Sequence, residues 1–551
     1  MTQLTDRHTF LSDTHEVFNQ PAALEGHNAW DSDRVLQQWT RVFGGAWAES
    51  EFGAYGARVG GDLQAAGFEA NKFKPEFTPH DRFGRRVDLV SFHPAYHDLM
   101  QAALETGMHA LPWTGSGPAL HVVRAALSYM HTQADPGTGC PLTMTFAAIP
   151  ALRAQPELYQ QWAPKIMART YDPRNVPFYE KEGLTIGMAM TEKQGGSDVR
   201  ANTSKAYPLG LDGTTPTFEI VGHKWFCSAP MCDAFLVLAH SENGLSCFLL
   251  PRWRPDGTKN AMHIQRLKSK VGNVSNASSE VEFRGAFAWL VGEEGRGVRT
   301  IIEMVAMTRF DCMVGSTALI AQAAREAMFH TRGRAVFGKN LHQQPLMLNV
   351  LADLAIEQEA ALAITMRMAN ALDQNETGLI RMGTALGKYW ICKRTPQVTY
   401  ESMESIGAVG LIDDNVAARL YREAPVNAIW EGSGNVQCLD VLRAMQREPE
   451  SLESIKTELA SAVGLNEGYD RFVADTLDLL ADAKTLEYRS RTVVERLALA
   501  WQGATLLRWG EPMVSEAFVA SRLAGAGGYM YGTLPDTVDC AAIVARACPS
   551  F

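Results

Sequence analysis

Cysteine is sparse in this chain. Nine are scattered over 551 residues with no framework of close pairs, and an odd number of unpaired thiols suits a reducing compartment. Positive charge is also short. The formal net charge is −10, so no global field draws the chain to nucleic acid or to an anionic membrane. No uninterrupted apolar run is long enough to cross a bilayer, and the opening "MTQLTDRHTFLSDTHE" lacks the basic-then-apolar pattern of a leader. A cytoplasmic protein without a membrane partner is the expectation. A Walker loop, a complete G-x-G-x-x-G after a strand and a G-x-S-x-G elbow are missing too. Phosphate transfer, a Rossmann site and the common serine hydrolase chemistry all lose support. His93 and His97 have zinc-like spacing but no third ligand nearby, and Cys227 and Cys232 lack a second pair, so no metal is expected. Pro94 fits an ordinary helix start instead.

What is present is an ordinary globular composition, 46% apolar and 20% charged, in a chain too long for one core. Residues 1–35 read as a polar arm. From 36 to 183 the pattern is mostly helical, as in "AYHDLMQAALETGMHAL", with apolar residues three and four apart. Between 184 and 295 the texture changes to short β-rich runs bounded by turn residues, such as "TPTFEIVGHKWFCS" and "SSEVEFRGAFAWLVG". Helix returns from 296 to 445, with Pro345 placed to open a long helix, and a further helical segment covers 446–551.

Two stretches invite a chemical reading. "NAIWEGSGN", residues 427–435, carries Glu431 out of an apolar run into a glycine turn, a setting that suits a base or a pocket wall better than a surface acid. "MTEKQGGSDV", residues 190–199, joins helical sequence to the β-rich region. Its hydroxyls and backbone N–H groups suit a flat, acceptor-rich ring or a pyrophosphate. On its own it is equally a surface turn.

In order along the chain, "MTEKQGGSDV" resembles M-T-E-P-x-A-G-S-D and "GHKWFCS" resembles N-G-x-K-x-W-I-T-N. "KVGNVSNASSEVEF" with "VGEEGRG" resembles K-x-G-x-R-x-S-x-T-x-x-L-x-F and L-G-x-x-G-x-G. "RGRAVFGKNLHQQ" resembles R-x-x-F-G-x-x-I-x-x-x-Q, and "ARLYREAPVNAIWEGSGNVQ" resembles R-x-Y-R-D-A-x-I-x-x-I-Y-E-G-T-x-x-I-Q. These are the acyl-CoA dehydrogenase motifs, spread over roughly residues 140–445. "MTRFD", "NASSEVEF" and the C-terminal extension resemble the branch associated with the adaptive response to DNA alkylation. The implied fold is mainly α with a central β-domain: a helical domain, a β-barrel domain and a four-helix bundle, here with an extra C-terminal helical domain.

The resemblance implies FAD, an acyl-CoA or related thioester, and a homotetramer. Glu431 stands at the position of the base that removes the α-proton, with Arg309 as the arginine near it. Met190, Thr191, Gly196 and Ser197 are expected at the flavin ring or ribityl chain, and Trp225, Phe226, Cys227 and Ser228 beside the ring. Trp430, Ser433 and Asn435 are expected along the cofactor toward its adenine-diphosphate part. Arg334 and Phe337 are expected at the pyrophosphate across a subunit interface. The family threonine that bonds flavin N5 is expected at Cys227, a weaker donor, which puts efficient hydride transfer in doubt. The arginine of K-x-G-x-R falls at Val274, the glutamine after F-G at Pro345, and the double glycine at Gly407 and Ala408.

That branch also implies duplex DNA binding through the extension, as a protective protein in which FAD is structural or redox-sensing. Charge argues the other way. Residues 446–551 hold ten Lys/Arg against fifteen Asp/Glu, whereas phosphate neutralisation supplies most non-specific affinity. Lys484, Arg489, Arg491, Arg496 and Arg508 are the candidate basic stripe, and weak, salt-sensitive binding at most is expected.

Overall fold

The computed structural model describes residues 14–548. The N-terminal part is built from helices, among them Arg34–Val42, Pro94–Thr106, Leu120–Ala134, Gly139–Leu152 and Pro156–Ile166. Asp33 starts the first by accepting from the Leu36 N–H at 2.8 Å. Pro94 opens its helix as expected, with His93 at the cap accepting from Ala95 N–H at 3.3 Å. One expectation fails here. Glu76–His80 and Arg86–Ser91 form an antiparallel hairpin inside the segment read as helical. Asp81 turns it, accepting from the Phe83 and Arg85 N–H groups at 2.8 and 2.9 Å. Nor is the stretch before residue 35 a free arm, since Leu24, Ala29 and Trp30 are buried.

The β-region is one seven-stranded sheet from Ile186–Ala189 to Ser278–Val291. Ala234–Ser241 pairs with Gly244–Pro251 on one side and with Ile186–Ala189 and Lys205 on the other, closing the sheet on itself. Closure removes exposed edges. The long strands Thr215–Ser228 and Ser278–Val291 pair antiparallel, with Cys227 opposite Ser279 and Ser228 opposite Ser278.

The C-terminal bundle consists of Gly297–Gly333, Pro345–Asp373, Thr377–Ile406 and Gly434–Arg447. Of the described helices, Gly297–Gly333 alone has the length and composition to cross a membrane, and it lies mostly buried inside the protein. The expected separate C-terminal domain is instead part of a common core. Leu459, Tyr469, Val493 and Trp501 pack in one cluster with Trp39, Phe52, Leu362 and Met382. Buried charges fasten it: Arg522 pairs with Asp353 and Glu357, Arg546 with Glu359, and Arg367 with Glu458.

Candidate active site

Glu431 follows the short helix Val426–Ile429 and precedes Gly434–Arg447. Its φ of +57° lies in the left-handed region, where a non-glycine residue persists only if its surroundings fix it. They do so through its carbonyls. Arg309 Nε and Gln437 Nε2 donate to Glu431 O at 2.9 and 3.1 Å, while Lys388 Nζ and Gln437 Nε2 donate to Gly432 O at 2.7 and 2.8 Å. Arg309 is itself engaged by Asp440 at 2.7 Å, and Asp440 also accepts from Arg381. Arg309 therefore holds the turn through the main chain instead of pairing with the carboxylate.

Among the described residues the carboxylate accepts one bond, from Thr308 Oγ1 at 2.7 Å. Burial raises its pKa, and the Thr308 bond and the Lys388 and Arg309 charges hold the rise back. A half-buried acid with one hydroxyl partner and no direct ion pair is a poised proton acceptor. Thr308, Lys388, Gln437 and Asp440 were given no role by motif reading. Thr308 stands directly before Arg309 in "MTRFD" and Gln437 closes "WEGSGNVQ", the two local signals available.

The other motifs meet through buried polar bonds. Glu192 and Lys224, both fully buried, pair at 3.0 Å, and Glu192 also accepts from Gln194, Thr203 and Ser204. Trp225 N–H donates to Thr191 O at 2.8 Å, and Asn202 Nδ2 donates to Met190 O at 3.0 Å. The loop carrying Met190, Thr191, Gly196 and Ser197 is thereby tied to the strand carrying Trp225 and Phe226. A side chain at position 196 would displace Thr191 Oγ1, so glycine there leaves that hydroxyl in place. Ser197 is exposed and Phe226 is 45% exposed.

The strand corrects one expectation. Cys227 is 0% exposed and packs inside the β-domain, so it cannot face a cofactor. Side chains alternate along a strand, and Phe226 and Ser228 point the other way. Ser228, half-buried, has its hydroxyl 2.9 Å from Ser278 Oγ. The motif aligns one residue further on than expected, and a hydroxyl is available where a thiol was thought to stand.

Trp430 is half-buried against the β-domain core, its Nε1 donating to Asn427 at 2.8 Å. Ser433 and Asn435 are exposed at the start of Gly434–Arg447. Arg491 Nε donates to Asn435 Oδ1 at 2.8 Å, an approach from the extension that no motif indicated. Arg334 and Phe337 lie apart from the rest. Thr308 sits early and Arg334 at the far end of the same helix, roughly 39 Å away at about 1.5 Å per residue. Phe337 is 97% exposed with a φ of +52°.

The five basic residues of the extension do not form one free face. Arg489 donates to Thr485 and to the Leu479 and Asp482 carbonyls, and Arg496 donates to Thr476 and the Phe472 carbonyl and lies over the Phe472 ring. Arg508 stacks on Trp509 and faces Glu458. Lys484 and Arg491 are exposed, and Arg491 is turned to Asn435.

Comparison with known proteins identifies the domains of the chain. Residues 187–286 match the acyl-CoA dehydrogenase middle domain, residues 295–446 its C-terminal domain, and residues 19–173 the N-terminal domain of the adaptive response protein AidB. AidB of Escherichia coli (strain K12) is 42% identical over 94% of this chain and 95% of its own length. This chain belongs to the acyl-CoA dehydrogenase family. Acyl-CoA dehydrogenase family member 11 of Caenorhabditis elegans is 27% identical over 91% of this chain and 84% of its own. A solved structure of the C. elegans protein in complex with C11-CoA superposes with a TM-score of 0.84 at 23% identity, covering 99% of this chain and 95% of that one. A Bacillus anthracis acyl-CoA dehydrogenase complexed with FAD gives 0.60 at 17%, covering 78% and 77%, a likeness of fold. Acyl-CoA dehydrogenases are FAD-dependent oxidoreductases acting on CH–CH bonds. The loop and strand joined above carry hydroxyls at Thr191, Ser197 and Ser228 and an exposed ring at Phe226, groups whose chemistry suits a flavin.

Proposed function

We propose that this protein oxidises the Cα–Cβ bond of an acyl thioester, with Glu431 as the base that takes the α-proton. The observation that carries the reading is the Glu431 turn: a half-buried carboxylate with Thr308 as its one donor, on a backbone fixed by Arg309, Lys388 and Gln437. FAD, when bound, would supply the hydride acceptor for the β-hydrogen. Thr191, Ser197, Phe226 and Ser228 would hold the ring and its chain, and Ser433, Asn435 and Arg491 would serve its diphosphate. Burial keeps Glu431 basic enough to take the proton, and Thr308 orients its lone pairs. Arg309, Lys388 and Gln437 act as positioning residues.

Arg334, capping the end of helix Gly297–Gly333, and Phe337, in the turn beyond it, lie too far from Thr308 to meet the same cofactor molecule within one chain. The exposed, left-handed Phe337 supports a site completed by another copy, as a homotetramer would provide. For duplex DNA, the charge arrangement supports no more than weak binding that fades as salt rises.

The test is anaerobic mixing of the FAD-loaded protein with a panel of acyl-CoAs. Loss of the flavin absorbance with at least one of them is expected. A fully loaded protein that no acyl-CoA reduces, at any pH where it stays folded, would contradict the proposal.

A further inference from the structure

Ser228 ends the strand Thr215–Ser228 and pairs with Ser278, which begins the strand Ser278–Val291. The loop from Met262–Leu267 back to Ser278 brings Lys270 to this end of the pair. Lys270 Nζ donates to Asn276 O at 2.7 Å and to Ser278 Oγ at 2.8 Å. Ser278 Oγ lies 2.9 Å from Ser228 Oγ. An ammonium and two hydroxyls stand in a row that ends at Ser228.

The hydrogens of this row have one consistent direction. Lysine only donates, so Ser278 Oγ accepts from it. Ser278 is buried, and among the described residues its hydroxyl has Ser228 as its one other partner. Were Ser228 the donor, the Ser278 hydrogen would be buried without an acceptor, a state that folded proteins avoid. Ser278 therefore donates to Ser228, and the half-buried Ser228 keeps its own hydrogen to give onward. The Cys140 thiol also lies within bonding reach of Ser228. Burial pushes that thiol up to about 12, so it stays protonated, and its sulfur is a weak acceptor that competes poorly.

The row begins on a full charge. Burial lowers the Lys270 pKa to about 8, with Cys140 and Glu423 opposing the fall, so the ammonium persists at pH 7. Both of its bonds go to neutral oxygens, and among the described residues no carboxylate pairs with it directly. A cation behind a chain of hydroxyls polarises them and strengthens the last donor. The loop is pinned on both sides of Lys270. Lys268 N–H donates to Ser278 O at 2.8 Å, Asn273 N–H to Glu423 Oε1 at 2.6 Å, and Ser275 Oγ to the Asp135 carboxylate at 2.9 Å. Donors fixed in advance are those that best stabilise charge developing in a reaction.

We infer that Lys270 is a positioning residue for the flavin: acting through Ser278, it turns the Ser228 hydroxyl outward as a donor and favours the electron-rich, reduced form of the cofactor. The inference rests on the proposed reading that places Ser228 beside the flavin ring. Its consequence is a cofactor whose potential is set in part by a cation that does not touch it.

The experiment is a double-mutant cycle on the two-electron midpoint potential of the FAD-loaded protein, read against a reference dye. Wild type, Lys270→Met, Ser228→Ala and the double variant are compared, with FAD absorbance and Tm reporting that each is loaded and folded. Lys270→Met should shift the reduction equilibrium about tenfold toward the oxidised form, a potential lower by ~30 mV. In the Ser228→Ala background the same change should shift it by no more than about threefold, because the chain that carries the effect is gone. Ser278→Ala interrupts the chain, keeps the cation and should also lower the potential. If Lys270→Met does not hold FAD, Ser278→Ala takes its place in the cycle. Equal shifts in both backgrounds, or an unchanged potential in a loaded Lys270→Met or Ser278→Ala protein, would overturn the inference. No acyl-CoA is used, so that failure leaves the proposed reaction standing. A loaded Ser228→Ala protein with an unchanged potential would overturn both the inference and the placement of Ser228 at the ring.

Discussion

Glu192→Gln perturbs the bond that joins two motifs, and its cost follows from burial. Both Glu192 and Lys224 are fully buried, and Lys224 Nζ has one other partner, the Leu238 carbonyl at 2.8 Å. The amide keeps the shape of the side chain. It removes the charge that balances a buried ammonium, and turns an N–H₂ toward donors that had been satisfied. Breaking a buried pair from one side costs about 3–5 kcal/mol. Part of that falls on residues 190–197, whose order the pair maintains. If roughly 1.4 kcal/mol of it is lost from the loaded state, FAD binds about tenfold more weakly. Lys224→Met should do less harm, because the carboxylate keeps donors from Gln194, Thr203 and Ser204. The assay is FAD release followed by the recovery of free-flavin fluorescence, with thermal unfolding alongside. A Glu192→Gln protein that holds FAD within about twofold of wild type, at an unchanged Tm, would refute the reasoning.

Ser228→Ala should keep FAD bound and slow reduction by acyl-CoA on the order of 10²-fold, the effect of one lost donor at a reacting centre; Cys227→Val, a change inside the β-domain, should leave the rate near wild type, and stopped-flow absorbance compares the two. Glu431 acts deprotonated and its pKa is raised by burial, so the reduction rate should already be falling on acidification at pH values above the ordinary carboxylate range. Thr308→Val removes the bond that favours the charged form, so the pH–rate profile should move to higher pH, and a profile displaced downward would contradict the role given to Thr308. Arg522→Met leaves Asp353 and Glu357 buried with fewer partners and should cost about 3–5 kcal/mol, seen as a lower Tm for the whole protein because the extension shares the main core.

Much of the site was legible because its motifs stand in order and carry unusual chemistry. Glu431 is conspicuous as an acid leaving an apolar run for a glycine turn. Its support by Lys388 is not, since that residue reaches the Gly432 carbonyl from another helix of the bundle, and no spacing rule connects residue 388 to residue 432. The misplacement at Cys227 came from a one-residue slip, and in a strand one residue exchanges the two faces. The hairpin at 76–91 was hidden by its exposure: Glu76–His80 buries almost nothing, so it carries little alternating signal. Arg489 and Arg496 looked like free charge because sequence does not show which carbonyls lie unclaimed nearby. The extension read as an extra helical domain because the family motifs end near residue 445, yet Trp501 and Tyr469 bury it in the common core.

The claim that Glu431 is the base is tested most directly by proton exchange, without any need for turnover. FAD-loaded protein is incubated in deuterium oxide with an acyl-CoA whose β-carbon is replaced by sulfur, so that the α-proton can leave while no hydride can follow. Mass spectrometry then reads deuterium at the α-carbon. Wild-type protein should incorporate it, and Glu431→Gln, still yellow and still binding the thioester, should not. Exchange at a similar rate in Glu431→Gln would show that another group takes the proton, and the account of this site would fail.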